Sequence, residues 1–270
     1  MSKLLRILFF GDIVGDAGRR VVGEFLSSSQ CPPADLIIAN AENCFAGGFG
    51  MTEKDVEELY GFGIHVLTGG NHTFHHPDAA NFIQRYPTVL RPANMLETKP
   101  GRGWCVVTAG GVKIGIINLL GRLHMKAVQP PFAIADDLVK EISKEAEVIF
   151  VDFHATSTGE KAGLAHFLDG RVSAVVGTHT HVQTADECIL LKGTAFISDV
   201  GACAATHSII GMDFDVVLRK LMYDDSAQME AARGRAAVSA VVLEIDAVTG
   251  YANSIERIRY IENRTLEAVV

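Results

Sequence analysis

One short apolar run that ends in two histidines constrains the fold of this chain more than any other stretch. Val172–Val176 (VSAVV) is rich in β-branched residues and predicts a buried strand. Gly177–His181 (GTHTH) follows it without a break. Two imidazoles that lie two residues apart beyond a strand end point to one place if the backbone stays extended. Because imidazole is the commonest protein ligand for transition metals, this stretch predicts half of a metal site, and the other half must come from elsewhere in the chain.

The length of the chain suits one large domain or two small ones, and we expect a single domain that spans residues 1–270. Hydrophobic residues make up 48% of the 270 residues, which is enough for a sizeable core. The formal net charge of −8 argues against a general nucleic-acid-binding surface. A small anionic substrate stays compatible with that charge, because bound metal ions would reverse the local field.

The cysteines and the hydropathy pattern bear on where the protein works. Five cysteines are scattered along the chain with no CxxC pair, which is typical of a reducing compartment. Met1–Phe10 is short, contains Arg6 and leads to Asp12, so we interpret it as a core strand rather than a signal peptide. No apolar run reaches the length of about 18 residues that a membrane span needs. We therefore expect a cytoplasmic protein with no membrane segment.

Strand-like and helix-like stretches alternate in the order βαβαβ, then a hairpin, then βαβ, then further hairpins. This mixture predicts an α/β fold in which two mixed β-sheets pack as a sandwich flanked by helices. The predicted strands are Leu4–Phe10, Asp35–Ala39, Ile64–Leu67, Thr88–Leu90, Trp104–Thr108, Lys113–Asn118, Val148–Val151, Val172–Val176, Cys188–Leu191, Ala195–Ile197, Ala236–Ile245 and Asn253–Ile261. The predicted helices are Arg19–Ser28, Glu53–Tyr60 with Thr52 as N-cap, a segment opened by Pro77, Ala133–Ala146, Glu160–Leu168 and Phe214–Met222.

Polar clusters follow five of these predicted strands. In such architectures, sites lie at the carboxyl ends of strands. The clusters consist of residue types that bind metals, in chain order Asp12, then Glu42 with Asn43, then Asn71 with His72, then His154, and finally His179 with His181.

The first three clusters have an ordinary structural explanation when each is taken alone. Asp12 could cap the following helix. Glu42 and Asn43 could be polar loop residues, Asn71 a turn residue, and His72 a satisfied core histidine. Five independent strand ends that all carry ligand-type residues are much harder to explain by chance. The whole set therefore predicts a metal site.

Other features give weaker signals. The glycines after the first strand have the spacing GxxxGxxG rather than GxGxxG, so a dinucleotide site is not favoured. His124 and Arg122 could approach a substrate, but His124 has no partner pattern, so this role is disfavoured. Asp152 shares a strand face with His154 and could orient it, or it could be a plain polar strand residue.

The ordered clusters resemble the calcineurin-like metallophosphoesterases, and more closely their YmdB-type branch. Val14 stands where most of the superfamily has a histidine, and Glu42 stands where most members have a bridging aspartate; both features are shared with that branch. Phe74 replaces the tryptophan usual in the branch, and residues 154–160 and 203–208 also differ, which bears on substrate preference more than on chemistry. The similar stretches are Gly11-Asp12, Asn40–Asn43, Gly70–His72, Leu90–Asn94, His154, Ser173–Asp186 and Gly211–Asp213.

The resemblance implies a centre of two metal ions with Glu42 as the bridging ligand. Carboxylate, amide oxygen and imidazole suit iron or manganese best, with zinc as an alternative, and no other cofactor is expected. Two such ions roughly 3.5–4 Å apart hold a hydroxide that attacks a phosphoryl group. His72 would act as the general acid, a contribution of about 100- to 10,000-fold. The implied ligands are Asp12, Glu42 and His181 for one ion, and Glu42, Asn43, Asn71, His154 and His179 for the other.

The resulting hypothesis is a phosphodiesterase that hydrolyses small phosphoesters, with 2′,3′-cyclic nucleotides as the substrate class. The alternative is a regulatory binding protein whose metals stabilise a site with only incidental turnover. An amidohydrolase is disfavoured, because its His-x-His pair normally follows the first strand of a barrel, whereas His179 and His181 come late in this chain. The sequence does not decide the oligomeric state, and a homo-oligomer stays open.

Overall fold

The structure is a computed structural model that describes residues 3–95, 99–125, 129–223 and 228–262. The strands in these ranges are β1 Leu4–Phe10, β2 Asp12–Ile13, β3 Leu36–Asn40, β4 Val66–Thr68, β5 Trp104–Ala109, β6 Val112–Leu120, β7 Val148–His154, β8 Ala174–Thr178, β9 Cys188–Ile189, β10 Ala195–Ile197, β11 Ala202–Ala205, β12 Ala236–Asp246 and β13 Ala252–Ile261. The helices are α1 Gly15–Leu26, α2 Glu53–Gly61, α3 Ala79–Phe82, α4 Pro131–Ile142, α5 Thr158–Leu168 and α6 Phe214–Tyr223.

The described strands form two mixed sheets. The first has the order β2-β11-β12-β1-β3-β4, with β13 on β12; β1, β3 and β4 are parallel, and β12 is antiparallel to both β1 and β13. The second has the order β5-β6-β7-β8-β10-β9, in which β6, β7, β8 and β10 are parallel and the edge strands are antiparallel. The predicted hairpins β5–β6, β9–β10 and β12–β13 are therefore confirmed.

The two sheets pack face to face, with helices on the outer faces. Alternation along β1 shows the layering, because successive strand side chains point to opposite faces. Ile7 and Phe9 belong to the cluster between the sheets, where the Phe9 ring lies 5.1 Å from that of Phe150 on β7. Leu8 and Phe10 belong to the cluster beneath α1 and α2. A third cluster fills the space between the second sheet and α4 and α5. The predicted α/β sandwich flanked by helices is confirmed.

Helix α1 begins four residues before the predicted start at Arg19. Glycines near its beginning disfavour a helix by intrinsic propensity. The tertiary contact explains why one of them is there: a Cβ at Gly18 would lie 2.3 Å from the Cys203 carbonyl oxygen of β11. Close packing of α1 on the sheet thus requires glycine at position 18, and this glycine also weakens the helix signal in the sequence.

The predicted strand Thr88–Leu90 does not form a regular strand. Val89 makes one isolated parallel bridge to Leu67, and Leu90 makes another to Arg102. The segment is apolar because Val89 and Leu90 are fully buried, so burial rather than ladder formation accounts for its composition. Among the described residues, none of the helices has both the length and the apolar character needed to span a bilayer.

Candidate metal centre

The carboxyl ends of five strands meet at one edge of the sandwich. Asp12 follows β1, Glu42 follows β3 and Asn71 follows β4 in the first sheet, while His154 ends β7 and His179 follows β8 in the second. Asp12, Glu42 and His154 are fully buried. Since the sheets face each other, parallel strands from both of them bring these side chains to one place, as the sequence pattern predicted.

The imidazole of His154 lies at the middle of the cluster. Its Nε2 atom is 3.0 Å from Glu42 Oε1, 3.0 Å from Asn71 Oδ1 and 3.0 Å from His179 Nδ1. One ligand atom each from Glu42, His154 and His179 lies within 4.8 Å of the others. A carboxylate and two imidazoles at this spacing form a set of ligands suited to a transition-metal ion.

A second group of ligand atoms lies beside the first. Asp12 Oδ1 is 3.7 Å from His181 Nε2 and 3.7 Å from His154 Nδ1. The carbonyl oxygen of Ile210 lies 2.6 Å from His181 Nδ1 and accepts a hydrogen bond from it. In the neutral ring, the lone pair is then on the other nitrogen, Nε2, which faces Asp12. Asp12 and His181 therefore offer a carboxylate oxygen and an imidazole nitrogen to the same space.

The two histidines of the GTHTH stretch do not converge through an extended backbone, which corrects the prediction on that point. His179 has φ of 104° and His181 has φ of 65°, both in the left-handed region. Such residues cost about 1–3 kcal/mol each and persist only where the surrounding structure holds them. The convergence of the pair thus depends on contacts outside the stretch itself.

Asn43 and His72 form the rim of the cluster. The Asn43 amide nitrogen lies 3.2 Å from Glu42 Oε1 and 3.4 Å from His181 Nε2, while its oxygen lies 2.9 Å from His72 Nδ1. Ligation of an ion by the Asn43 oxygen beside Glu42 would require rotation of this amide. The His72 backbone amide donates to Glu42 Oε2 at 2.7 Å, and its ring packs edge-on against Phe49 at 4.8 Å.

The charges in the cluster are distributed unevenly over the histidines. Burial lowers the pKa of His154, but the adjacent Glu42 and Asp12 carboxylates outweigh it and raise that pKa to about 9. Burial also acts to raise the pKa of Glu42, but His154 and His72 hold it well below its usual value. Burial and the neighbouring His154 lower the pKa of His179 to about 3. The Glu42 and Asp12 carboxylates thus favour positive charge in this space.

Two observations test whether these residues fit a cation. Asp12 Oδ1 is buried and has no hydrogen-bond partner among the described residues, and burial raises the pKa of that carboxyl. A buried carboxylate oxygen without a partner is costly, and a metal ion would satisfy it. Gly70 lines the same space, since a Cβ there would lie 2.3 Å from Glu42 Oε2. The unpaired Asp12 oxygen and the absence of a side chain at Gly70 are both compatible with a bound ion.

A buried polar network beneath the cluster holds His154 in place. Asp152 accepts hydrogen bonds from Thr178 Oγ1 at 2.7 Å, from Thr68 Oγ1 at 2.5 Å and from Asn40 Nδ2 at 3.1 Å. Because Thr178 donates to Asp152, its oxygen accepts from His154 Nδ1 at 3.0 Å. This leaves Nε2 of His154 for the ligand position. The strand face of Asp152 makes it a candidate from sequence, but no pattern assigns a role to the two threonines, whose only signal is their place at strand ends.

The loop that contains Arg122 and His124 follows β6 next to His154. The Gly121 amide donates to the His154 carbonyl at 3.0 Å, and the Arg122 amide donates to Glu160 Oε1 at 2.9 Å. Arg122 and His124 are exposed, and His124 has φ of 62°. This loop therefore borders the cluster, and among its described residues neither Arg122 nor His124 makes a hydrogen bond with a member of the cluster.

Comparison with known proteins finds relatives that match almost the whole chain. A family model described as YmdB-like protein matches residues 8–258. Over 255 residues the sequence is 43% identical to the 2′,3′-cyclic-nucleotide 2′-phosphodiesterase of Bacillus subtilis (strain 168), a match that covers 94% of this chain and 96% of that protein.

Two solved structures have the same fold over almost their whole length. A novel phosphatase from Mycoplasma pneumoniae superposes with a TM-score of 0.89 at 33% identity, covering 97% of this chain and 95% of that one. A hypothetical protein from Thermus thermophilus also gives 0.89 at 34% identity, covering 96% of this chain and 100% of that one.

Proposed function

This chain belongs to the YmdB-like family and is a phosphoesterase, and we propose that it hydrolyses 2′,3′-cyclic nucleotides at a centre of two metal ions. The observation that carries the proposal is the convergence of Glu42, Asn71 and His179 on one nitrogen of His154, each at 3.0 Å. The substrate class is that of the Bacillus subtilis relative, which aligns over 94% of this chain.

The proposed ligands divide into two sets that share Glu42. Asp12 and His181 would complete one set, since Asp12 Oδ1 and His181 Nε2 face each other across 3.7 Å. The second set comprises Glu42, Asn43, Asn71, His154 and His179. Iron or manganese suits these oxygen and imidazole donors, with zinc as an alternative. Bound ions would polarise the phosphoryl group and lower the pKa of a coordinated water from about 15.7 toward about 7.

His72 is the proposed general acid. Its Nδ1 atom lies 2.9 Å from Asn43 Oδ1 and 3.3 Å from Glu42 Oε1; rotation of the Asn43 amide toward an ion would remove the first contact and leave the second. Phe49 packs against one edge of the ring. Within the described part of the chain, Nε2 makes no hydrogen bond, and the side chain is 28% exposed. In its protonated form the ring carries a proton on Nε2, which it can deliver to the ribose oxygen as that oxygen leaves phosphorus, so that an alcohol departs rather than an alkoxide.

The test compares His72→Ala with the parent on two substrates. We expect kcat for a 2′,3′-cyclic nucleotide to fall by about 100- to 10,000-fold, because the ribose oxygen needs a proton to leave. With bis-p-nitrophenyl phosphate, whose phenolate leaves readily without a proton, we expect a much smaller loss. Metal content, measured by elemental analysis, should equal that of the parent.

His75→Ala is the matched control. His75 is exposed, and its ring centre lies 5.3 Å from that of Phe49 and 5.8 Å from that of His72, but in the described structure it makes no hydrogen bond or ion pair with Glu42. We expect parental kcat on both substrates. A His72→Ala protein that keeps its metals and hydrolyses the cyclic nucleotide at the parental rate would remove the acid role. A metal-loaded parent that turns over no cyclic nucleotide would refute the substrate class.

A further inference from the structure

A buried ion pair lies behind the histidine pair. Lys161 of α5 and Asp199 are each 1% exposed, and Lys161 Nζ is 2.7 Å from Asp199 Oδ2. Lys161 occupies the apolar stripe of its helix together with Leu164, Ala165 and Leu168. A buried ion pair is weak evidence of a stabilising role, because the removal of both charges from water offsets their attraction. Its other contacts therefore indicate what the pair does.

The Asp199 carboxylate binds the backbone on both sides of the cluster. Oδ2 accepts from the Thr180 amide at 3.0 Å, and Oδ1 accepts from the Gly201 amide at 2.9 Å. Thr180 is the residue between His179 and His181. The single carboxylate thus holds the centre of the segment that carries both histidines.

Gly201 extends this connection to Asp12. The Gly201 carbonyl accepts from the Asp12 amide at 3.0 Å, and Asp12 Oδ2 in turn accepts from the His179 amide at 3.1 Å. Asp199, Thr180, Gly201, Asp12 and His179 form a closed set of contacts. Two of its members are proposed metal ligands, and a third ligand, His181, follows Thr180 directly.

Gly177, at the end of β8, lies against the Lys161 side chain. A Cβ at Gly177 would lie 1.9 Å from the Ser198 carbonyl oxygen and 2.8 Å from Lys161 Cδ, so this glycine admits both the neighbouring backbone and the lysine side chain. His179 and His181 have left-handed backbones, with φ of 104° and 65°, which non-glycine residues adopt only where neighbours hold them. The hydrogen bond from Thr180 to Asp199 lies between these two residues.

We propose that Lys161 and Asp199 are positioning residues that hold His179, His181 and Asp12 in the geometry that binds metal. The inference rests on the proposed function, because it assumes that these three residues are ligands. Lys161 supplies the charge that a buried carboxylate requires, and Asp199 supplies the acceptors for Thr180 and Gly201. The pair thus acts on the ions through the backbone and does not touch them.

The experiment uses Lys161→Met, Asp199→Asn and the double variant in the full chain. Methionine fills the space of the lysine stem, and the double variant carries no buried charge, so it should regain thermal stability lost by either single change. The asparagine has one side-chain oxygen, so it can keep only one of the two hydrogen bonds that the Asp199 carboxylate accepts from the Thr180 and Gly201 amides. We expect manganese affinity to fall by about 10–100-fold in all three variants, and the visible spectrum of the cobalt-loaded proteins to change.

Hydrogen exchange on the metal-free proteins gives a readout that does not depend on ions. The Thr180 and Gly201 amides should exchange faster in the three variants than in the parent. Arg20→Met is the matched control, because it removes a bridge of 3.0 Å to Glu262, which is 0% exposed and pairs α1 with the end of β13. We expect this control to lose thermal stability but to keep parental metal affinity, spectrum and exchange at Thr180.

The outcomes separate this inference from the proposed function. The positioning role is overturned if the Lys161 and Asp199 variants lose only thermal stability, as the control does. A parent that takes up no ion overturns both. A parent that binds ions but hydrolyses no cyclic nucleotide refutes the proposed substrate, while weakened ion binding in the variants would still support the positioning role.

Discussion

Gly70 is the position at which one added methyl group should damage the metal centre most directly. A Cβ built there lies 2.3 Å from Glu42 Oε2 and 2.5 Å from His154 Cδ2, whereas ordinary contacts begin at 3.4 Å. In Gly70→Ala both side chains must therefore recede by about 1 Å, or the β4 end must move by a similar distance. Glu42 and His154 are 0% exposed, so neither can move into solvent.

The size of the effect follows from that displacement. A misplacement of about 1 Å at a reacting centre can cost about 100-fold in rate, and overpacking of a filled interior costs about 1–3 kcal/mol of stability. We expect Gly70→Ala to lose at least one metal ion per chain and about 100-fold in kcat/KM for a cyclic nucleotide. Elemental analysis, steady-state kinetics and urea unfolding measure the three quantities.

Gly61→Ala is the matched control for this prediction. Gly61 is the last residue of α2, and a Cβ there meets nothing within 4 Å. Because alanine reduces the entropy of the unfolded chain, the control should be neutral or more stable by about 0.4–1 kcal/mol, with parental metal content and rate. Parental metal content and kcat/KM in Gly70→Ala itself would refute the packing argument.

Two further predictions concern stability and reactivity. Thr52→Ala removes a capping box, in which the Thr52 hydroxyl accepts from the Asp55 amide and the Asp55 carboxylate accepts from the Thr52 amide. The free energy of unfolding, measured in urea, should therefore fall by about 1 kcal/mol. An unchanged free energy of unfolding would contradict the role of the cap. In the native protein at pH 8, a thiol reagent should modify the exposed Cys188 but not Cys44 or Cys203, which are 0% exposed. Burial keeps the reagent away from these two thiols and raises the pKa of Cys203 to about 12. Modification of Cys203 as fast as that of Cys188 would contradict this prediction.

The sequence predicts the strand ends of the site well because each one combines two local signals. An apolar run indicates the strand, and a polar residue just beyond it indicates the edge at which strands of both sheets meet. Glu42 and His154 are found in this way, and the structure brings them within 3.0 Å of each other. The assignment of these residues as metal ligands stays a prediction.

The supporting contacts could not be predicted in the same way, because they depend on tertiary packing. Lys161 has the charge of a solvent-facing helix residue, and only its place in an apolar stripe with Leu164 and Leu168 indicates burial. Strand β11, Ala202–Ala205, carries no β-branched residue, since its small side chains let α1 approach. The left-handed backbone of His179 has no local sequence signal, because it depends on the hydrogen bonds of its neighbours.

A crystal structure of the manganese-loaded protein, with anomalous data at the manganese edge, tests the central claim most directly. The account predicts two anomalous peaks roughly 3.5–4 Å apart, with the Glu42 carboxylate between them and with His154 and His181 on opposite sides. A single peak, or two peaks that Glu42 does not contact, would contradict it.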